Sequence, residues 1–202
     1  MQQSDSYHTI RSEACTEIKI KGSKFIGRAF ACEDVARAQE ILNRIRKEFH
    51  DATHNCYAYR VGFGKHLVFK YSDDGEPSGT AGRPIYDQLK GQDLTNVILI
   101  VTRYYGGTKL GTGGLTHAYS TSAANTIKQA GVIEQYVTDR ITVAVQLADY
   151  NVAARLICQI GAKIVQSDFA DRVTLVVEIR ISLREKLMND LANVTSGRAR
   201  IV

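Results

Sequence analysis

The chain has 202 residues, of which 44% are hydrophobic and 23% are charged, as in ordinary globular proteins. Lysine and arginine together number 26 against 21 acidic residues, so the net charge of +5 permits an anionic partner without requiring one. No stretch approaches the roughly 18 consecutive apolar residues of a membrane span. The N-terminal MQQSDSYHTI also lacks the apolar core of a signal peptide. We therefore expect no membrane association.

The four cysteines form neither a CxxC pair nor a metal-ligand spacing. Scattered cysteines in a chain of this length fit a reduced protein better than a disulfide scaffold, so we expect a cytoplasmic location. The residues are Cys15, Cys32, Cys56 and Cys158.

The first part of the chain predicts alternating strands and helices. In chain order, we predict a lysine-rich hairpin over 16–30, a helix over 33–49, strands near 54–61 and 66–71, a helix over 83–90 and a buried strand over 96–105. A glycine-rich loop over 106–114 then leads into a helix that ends at Gly131. Its predicted buried stripe consists of Leu115, Ala118, Tyr119, Ser122, Ala123, Thr126, Ile127 and Ala130.

The pattern changes near 132–138, where we place the boundary between a domain of residues 1–135 and a domain of residues 136–202. Beyond it, strictly alternating strands and short helices follow the order β-α-β-β-α-β, which is the ferredoxin-like order. The single apolar face of each strand predicts helices on one side of the sheet and an open face on the other. Ser182 and Glu185 have the spacing of a capping box before the last helix.

Glycine is concentrated in one segment, because 11 of the 16 glycines and both prolines lie between Gly62 and Gly114. The loop Gly106–Gly114 lies between a buried strand and a helix start, where free amides and the helix dipole can bind an anion. Arg103 and Lys109 would add positive charge. The alternative is a flexible connection capped by Thr112. The spacing matches neither a P-loop nor a dinucleotide-binding fingerprint.

A second loop, Ser72–Pro84, is acidic. Asp73, Asp74 and Glu76 could bind a hard cation such as Mg²⁺, could pair with Arg83 and Arg103, or could simply form a turn.

Three further residues near these loops are candidates for binding or catalysis. Arg103 precedes two tyrosines, an arrangement that can stack bases and hold phosphates, although plain aromatic packing explains it nearly as well. His54 and Cys56 would share one strand face, whereas a catalytic pair usually faces across space. We therefore interpret His54 as a packed histidine and predict no catalytic residue.

Four blocks of this sequence resemble the IMPACT family, in particular its bacterial YigZ-type branch. They are Gly22–Ile26, Ala52–Ala58, Ser72–Pro84 and Arg103–Leu115. The resemblance implies a two-domain α/β (α+β) fold, with a first domain like the second domain of ribosomal protein S-five and a ferredoxin-like second domain. It also implies a translation-linked role. His117 stands where we expect lysine or arginine in relatives, so an anion contact from this position would depend on pH.

The leading functional hypothesis is a translation-linked regulator that binds RNA or the ribosome through the glycine-rich cleft. The alternatives are an enzyme acting on a phosphorylated small molecule and a protein-interaction adaptor that uses the open sheet face of residues 138–202. No cofactor is predicted, and the sequence decides neither catalysis nor the oligomeric state. The predicted nucleic-acid or anion-binding residues are Arg83, Arg103, Tyr104, Gly106, Gly107, Lys109, Gly111, Gly113, Gly114 and His117. The structural or metal candidates are Asp73, Asp74, Glu76 and His54.

Overall fold

The computed structural model describes residues 5–202, and their contacts form two compact units. The N-terminal unit is Tyr7–Gln135, and the C-terminal unit combines residues 5–6 with 136–202. Each unit contains its own sheet and helices, which confirms the predicted two-domain α/β class.

The N-terminal unit is built on a five-stranded antiparallel sheet and three helices. The strands are β2 (Ala14–Ile20), β3 (Ser23–Ala31), β4 (His54–Val61), β5 (Val68–Ser72) and β6 (Val97–Tyr104), and the helices are α1 (Val35–Glu48), α2 (Gly82–Gly91) and α3 (Gly111–Ala130). The strand order in the sheet is β2-β3-β6-β4-β5.

Helices cover both faces of this sheet. On one face α1 buries Ile41, Leu42 and Ile45 against β3, β4 and β6. On the other face α2 and α3 enclose a second apolar core. Because β6 lies in the middle, its residues from Val97 to Arg103 are all buried, as its unbroken apolar run predicts.

Helix α3 buries the residues predicted for its stripe. Small side chains let it approach the sheet closely, since a Cβ on Gly27 of β3 would lie 2.1 Å from the Thr126 hydroxyl oxygen. The helix begins at Gly111 rather than after Gly114, so the last three glycines of the predicted loop lie in its first turn.

A small two-stranded sheet joins β1 (Ser6–Ile10) to β7 (Val132–Tyr136). The sequence pattern at 132–138 indicates only a domain boundary, and the start of the chain carries no pattern that predicts a strand. Both strands are short, β7 is largely exposed and β1 buries only its last two residues, so neither shows the apolar alternation by which a strand is recognised.

The C-terminal unit follows the predicted β-α-β-β-α-β order. Its elements are β8 (Thr138–Val145), α4 (Tyr150–Gln159), β9 (Lys163–Phe169), β10 (Val173–Arg180), α5 (Arg184–Val194) and β11 (Arg200–Ile201). The strands form an antiparallel sheet in the order β11-β8-β10-β9. Helices α4 and α5 contribute Ile157, Leu187 and Leu191 to a core on one face, while alternate residues of β10 on the other face are only partly buried.

The predicted capping box before α5 is wrong. No side chain caps this helix at Leu183, and the Ser182 hydroxyl donates instead to the Asp5 carboxylate at 2.5 Å. Asp5, near the start of the chain, therefore binds the hydroxyl group that the local pattern assigned to the cap of α5.

Candidate functional site

A buried arginine lies at the end of β6. Arg103 is 5% exposed, and its Nη1 donates to Glu76 Oε1 at 2.6 Å. Its guanidinium also lies 5.4 Å from the ring centre of Phe25 and 5.5 Å from that of Tyr105. Because both partners of the ion pair are almost fully buried, the charge of Arg103 is neutralised inside the protein.

The acidic loop delivers Glu76 to this position through a tight left-handed turn. Asp74 and Gly75 have φ angles of 47° and 90°. The Asp73 carboxylate accepts hydrogen bonds from the backbone N–H groups of Gly79, Ala81 and Gly82. Asp73 thereby satisfies amides at the start of α2, a helix that lacks its own side-chain cap.

Asp74 fixes the same loop to neighbouring elements. Its carboxylate accepts from Arg46 of α1 at 2.5 Å and from the backbone N–H of Asn55 at 2.8 Å. The acidic loop is therefore braced by protein donors. Pairing of the acidic loop with Arg103, one of the alternatives left open by the sequence, occurs through Glu76, whereas the pairing of Asp74 with Arg46 was not predicted.

A buried hydroxyl and a buried thiol lie behind Glu76. Tyr119 of α3 donates to Glu76 Oε1 at 2.8 Å, and Cys56 Sγ lies 3.3 Å from the Tyr119 hydroxyl. Burial raises the pKa of both the Cys56 thiol and the Tyr119 hydroxyl. Cys56 therefore stays protonated at neutral pH and is not a reactive thiolate.

His54 lies directly opposite Arg103 in the pairing of β4 with β6. Its Nδ1 is 2.8 Å from the carbonyl oxygen of Asp74. Since a carbonyl oxygen can only accept, Nδ1 carries a proton. The other ring nitrogen, Nε2, lies 3.9 Å from Glu76 Oε2, which is too far for a hydrogen bond.

The glycine-rich loop rests against the turn between β2 and β3. A Cβ on Gly106 would lie 1.9 Å from the carbonyl carbon of Gly22, so only glycine fits there. The Ser23 hydroxyl accepts from the Gly106 N–H at 3.2 Å and receives a long bond of 3.4 Å from Arg103. This close approach sets the path of the chain towards α3.

The N-terminus of α3 is uncapped. Leu110, in the N-cap position, makes no side-chain hydrogen bond, and the first turn contains no acidic residue. Thr112 lies within the helix, so the alternative of a loop capped by Thr112 is wrong. The free amides and the dipole of this 20-residue helix leave a positive end beside the exposed Lys109.

These elements surround one cavity of about 410 Å³. Its wall combines the acidic loop, the ends of β4 and β6, and the start of α3, and contains Thr53, His54, Glu76, Pro77, Arg103, Tyr105, Lys109, Leu110, Gly111, Thr112 and Leu115. Its lining is largely apolar, with polar groups of both signs, which is typical of a ligand site.

Residues 21–127 match the model of the Impact N-terminal domain, and residues 143–198 match a domain of unknown function, DUF1949. The IMPACT family member YigZ of Escherichia coli is 31% identical over 185 residues, which cover 91% of each chain. This chain belongs to the IMPACT family.

Further comparisons agree with that assignment. The IMPACT family member YvyE of Bacillus subtilis is 43% identical over 130 residues, but the match spans only 59% of that protein and 64% of this chain. A solved structure titled as that of an hypothetical protein is 30% identical, with a TM-score of 0.70 over 99% of this chain and 98% of that one. All four sequence blocks behind the predicted resemblance lie within the residues matched by the Impact N-terminal domain.

The structure brings together only part of the predicted site of this IMPACT protein. His54, Glu76, Arg103, Lys109 and Gly111 line the cavity. The other predicted residues lie outside its wall: Asp73, Asp74, Arg83, Tyr104, Gly106, Gly107, Gly113, Gly114 and His117.

Three of those residues bind other partners or lie on an exposed helix face, away from the cavity. Arg83 is exposed on α2 and pairs with Asp87 at 2.8 Å, rather than with the acidic loop. Tyr104 donates to Asp51, and His117 is exposed on α3. Arg83 therefore lies outside the cavity that the other charged residues form.

The residues that support the site from behind could not be predicted from the sequence. Ser23, Cys56 and Tyr119 are separated by up to 96 residues in the chain yet converge behind Glu76 and Arg103. Tyr119 was predicted only as part of an apolar stripe. Its hydroxyl gives no periodic signal, so only the fold reveals its role.

No group of three or more histidine, cysteine, aspartate or glutamate side chains in residues 5–202 is arranged to hold a metal ion. Asp73, Asp74 and Glu76 point to three different sets of protein donors, which gives the predicted cation alternative no support. Within the same residues no helix is long and apolar enough to cross a membrane.

Proposed function

We propose that this IMPACT protein is a translation-linked regulator that binds RNA, free or in the ribosome, through the cavity at the start of α3. The observation that carries the proposal is the uncapped N-terminus of α3, which opens on this cavity beside Lys109 and exposed Tyr105. Free amides at a helix start bind phosphate, and exposed aromatic rings stack on bases. The link to translation rests on the family resemblance.

The structure changes which residues should contribute. Arg103 is neutralised by Glu76, so it contributes little net charge. Lys109 is exposed, and no ion pair joins it to another residue of the described chain. Lys24 lies over the Tyr104 ring at 4.8 Å and extends positive charge from the cavity towards the β2–β3 turn. Lys109 is therefore the first residue to test.

The experiment is a salt titration of binding to labelled single-stranded RNA, measured by fluorescence anisotropy on the full chain. If phosphate contacts dominate, the affinity falls steeply between about 50 and 200 mM salt. Lys109→Ala should weaken binding to all sequences alike and reduce the slope of log affinity against log salt by about 1.

The matched control is Lys128→Ala, which removes an exposed lysine from the last turn of the same helix and should leave affinity and slope unchanged. Absence of RNA binding at low salt would overturn the proposal. So would equal effects of the two substitutions, because general attraction to positive charge would then explain the binding.

A further inference from the structure

Three polar groups in the cavity wall have unused hydrogen-bonding capacity. They are His54 Nε2, Glu76 Oε2 and Arg103 Nε. His54 and Arg103 are paired neighbours on β4 and β6, and side chains directly opposite in antiparallel strands have Cβ atoms about 5 Å apart. The three groups thus form one small cluster.

Two members of the cluster are acceptors that face each other. In the tautomer that the Asp74 carbonyl selects, with the proton on Nδ1, His54 presents a bare Nε2. Glu76 Oε2 is 3.9 Å away, while Oε1 of the same carboxylate already accepts from Arg103 and Tyr119. A group with two hydrogens can bridge two acceptors at this separation, whereas a carbonyl oxygen cannot.

The third member is a donor without an acceptor. Arg103 Nε is buried and makes no hydrogen bond, although the Nη atoms of the same guanidinium do. Leaving a buried donor unpaired costs about 1–3 kcal/mol. Because Arg103 Nε has almost no accessible surface, the two acceptors, and not this donor, are open to a ligand in the cavity.

We propose that the cavity receives an unstacked adenine or cytosine base, with its amino group bridging His54 Nε2 and Glu76 Oε2. Both bases carry an amino group with two hydrogens next to a ring acceptor. Uracil presents a carbonyl oxygen in place of the amino group, which two acceptors repel. This inference rests on the proposed function and adds a base preference to it.

The rest of the cavity fits the same ligand. Tyr105 is 46% exposed and offers a ring face on which a base can stack. Lys109 and the free amides of α3 lie on the wall beside it, where a phosphate attached to the base would be held. The same chemistry would suit a nucleotide within an RNA strand or a free nucleotide.

The test compares oligoadenylate, oligocytidylate and oligouridylate RNA of equal length, with adenosine and cytidine monophosphates as competitors, on the full chain. We expect the adenine and cytosine strands to bind about tenfold more tightly than the uracil strand. His54→Ala should remove this preference, and His54→Gln, which restores a side-chain acceptor, should recover part of it. His66→Ala, at an exposed histidine outside the cavity, should leave the preference unchanged.

The outcomes separate this inference from the function on which it rests. Equal binding of the three strands, still weakened by Lys109→Ala, would overturn the base preference and leave RNA binding standing. Failure of every strand to bind would overturn both. If the monophosphates compete with an affinity equal to that of the strands, the base pocket is supported, but the ligand is a free nucleotide and not a base within an RNA strand. Thermal unfolding of each His54 variant shows whether a lost preference reflects lost folding.

Discussion

At the scale of single residues, the site depends on one buried pair of opposite charges. The side chains of Arg103 and Glu76 are 6% and 3% exposed, whereas those of Arg83 and Asp87 are about half exposed. Removing one partner of a buried pair leaves an uncompensated charge in a medium of low polarity. The two ion pairs should therefore respond very differently to the same kind of substitution.

We predict that Glu76→Ala lowers the free energy of unfolding by about 3–5 kcal/mol, as measured by urea denaturation. The reason is that Arg103 keeps its charge while losing its carboxylate partner, and Tyr119 loses its acceptor at the same time.

Asp87→Ala is the matched control, because an exposed pair contributes about 0–1 kcal/mol. A Glu76→Ala/Arg103→Met variant should be more stable than the sum of the two single changes predicts, since it removes both charges. Similar small losses for Glu76→Ala and Asp87→Ala would show that the buried pair is not needed for folding.

The sequence predicts some residues of this site and leaves others undetermined. Glycine density indicated the two loops that border the cavity, and pairing of Arg103 with the acidic loop was among the alternatives that the sequence left open. The sequence did not select Glu76 over Asp73 and Asp74 as the partner, since all three are carboxylates in one turn. The left-handed turn at Asp74 and Gly75 decides which side chain points inward, and composition does not encode that geometry.

At the scale of elements, the start of α3 is positioned by the contact between two turns. Gly106 and Gly22 approach so closely that a Cβ on Gly106 would lie 1.9–2.2 Å from three backbone atoms of Gly22 and Ser23. Backbone atoms cannot rotate away as a flexible side chain can, so a methyl group must separate the two turns.

We predict that Gly106→Ala destabilises the protein by about 1–3 kcal/mol, the usual cost of overpacking, and weakens RNA binding because Tyr105 and Lys109 shift with the loop. Thermal unfolding and the anisotropy assay measure the two effects.

Gly113→Ala tests whether any added methyl group in this segment has the same effect. A Cβ there would meet nothing within 4 Å, and Gly113 has no left-handed φ. Because alanine favours helix over glycine, this variant should be as stable as the original protein or slightly more stable. Equal stability of the Gly106 and Gly113 variants would show that the turns can separate without cost.

Elements with a strong apolar period were predictable, and elements defined by distant partners were not. The stripe of α3 follows from its spacing because burial repeats every three to four residues. Strands β1 and β7 pair across more than 120 residues, and neither carries an alternating pattern of its own. The capping box failed for a related reason, since Asp5 competes for Ser182.

At the scale of the whole molecule, the C-terminal unit contains residues from both ends of the chain. Asp5 accepts from Arg180 at 2.8 Å and from both the hydroxyl and the backbone N–H of Ser182. Arg180 also lies over the Tyr136 ring at 3.6 Å. One carboxylate thus joins the start of the chain to the strand that ends 175 residues later, and this link depends on its charge.

Hydrogen bonds from Arg180 and Ser182 hold the pKa of the Asp5 carboxyl well below its usual range. A carboxylate with a lowered pKa stabilises the folded state above its unfolded pKa of about 3.9, and this stabilisation is lost progressively as the pH falls below that value.

We predict that Asp5→Asn reduces stability at pH 7 by about 1–3 kcal/mol and that the difference from the original protein shrinks under acid conditions. Urea denaturation of both proteins over a pH series measures this difference in the free energy of unfolding. The control is Asp168→Asn, at an exposed aspartate of the same unit. A difference that stays constant down to acid pH would mean that the shape of the Asp5 side chain, and not its charge, stabilises this link.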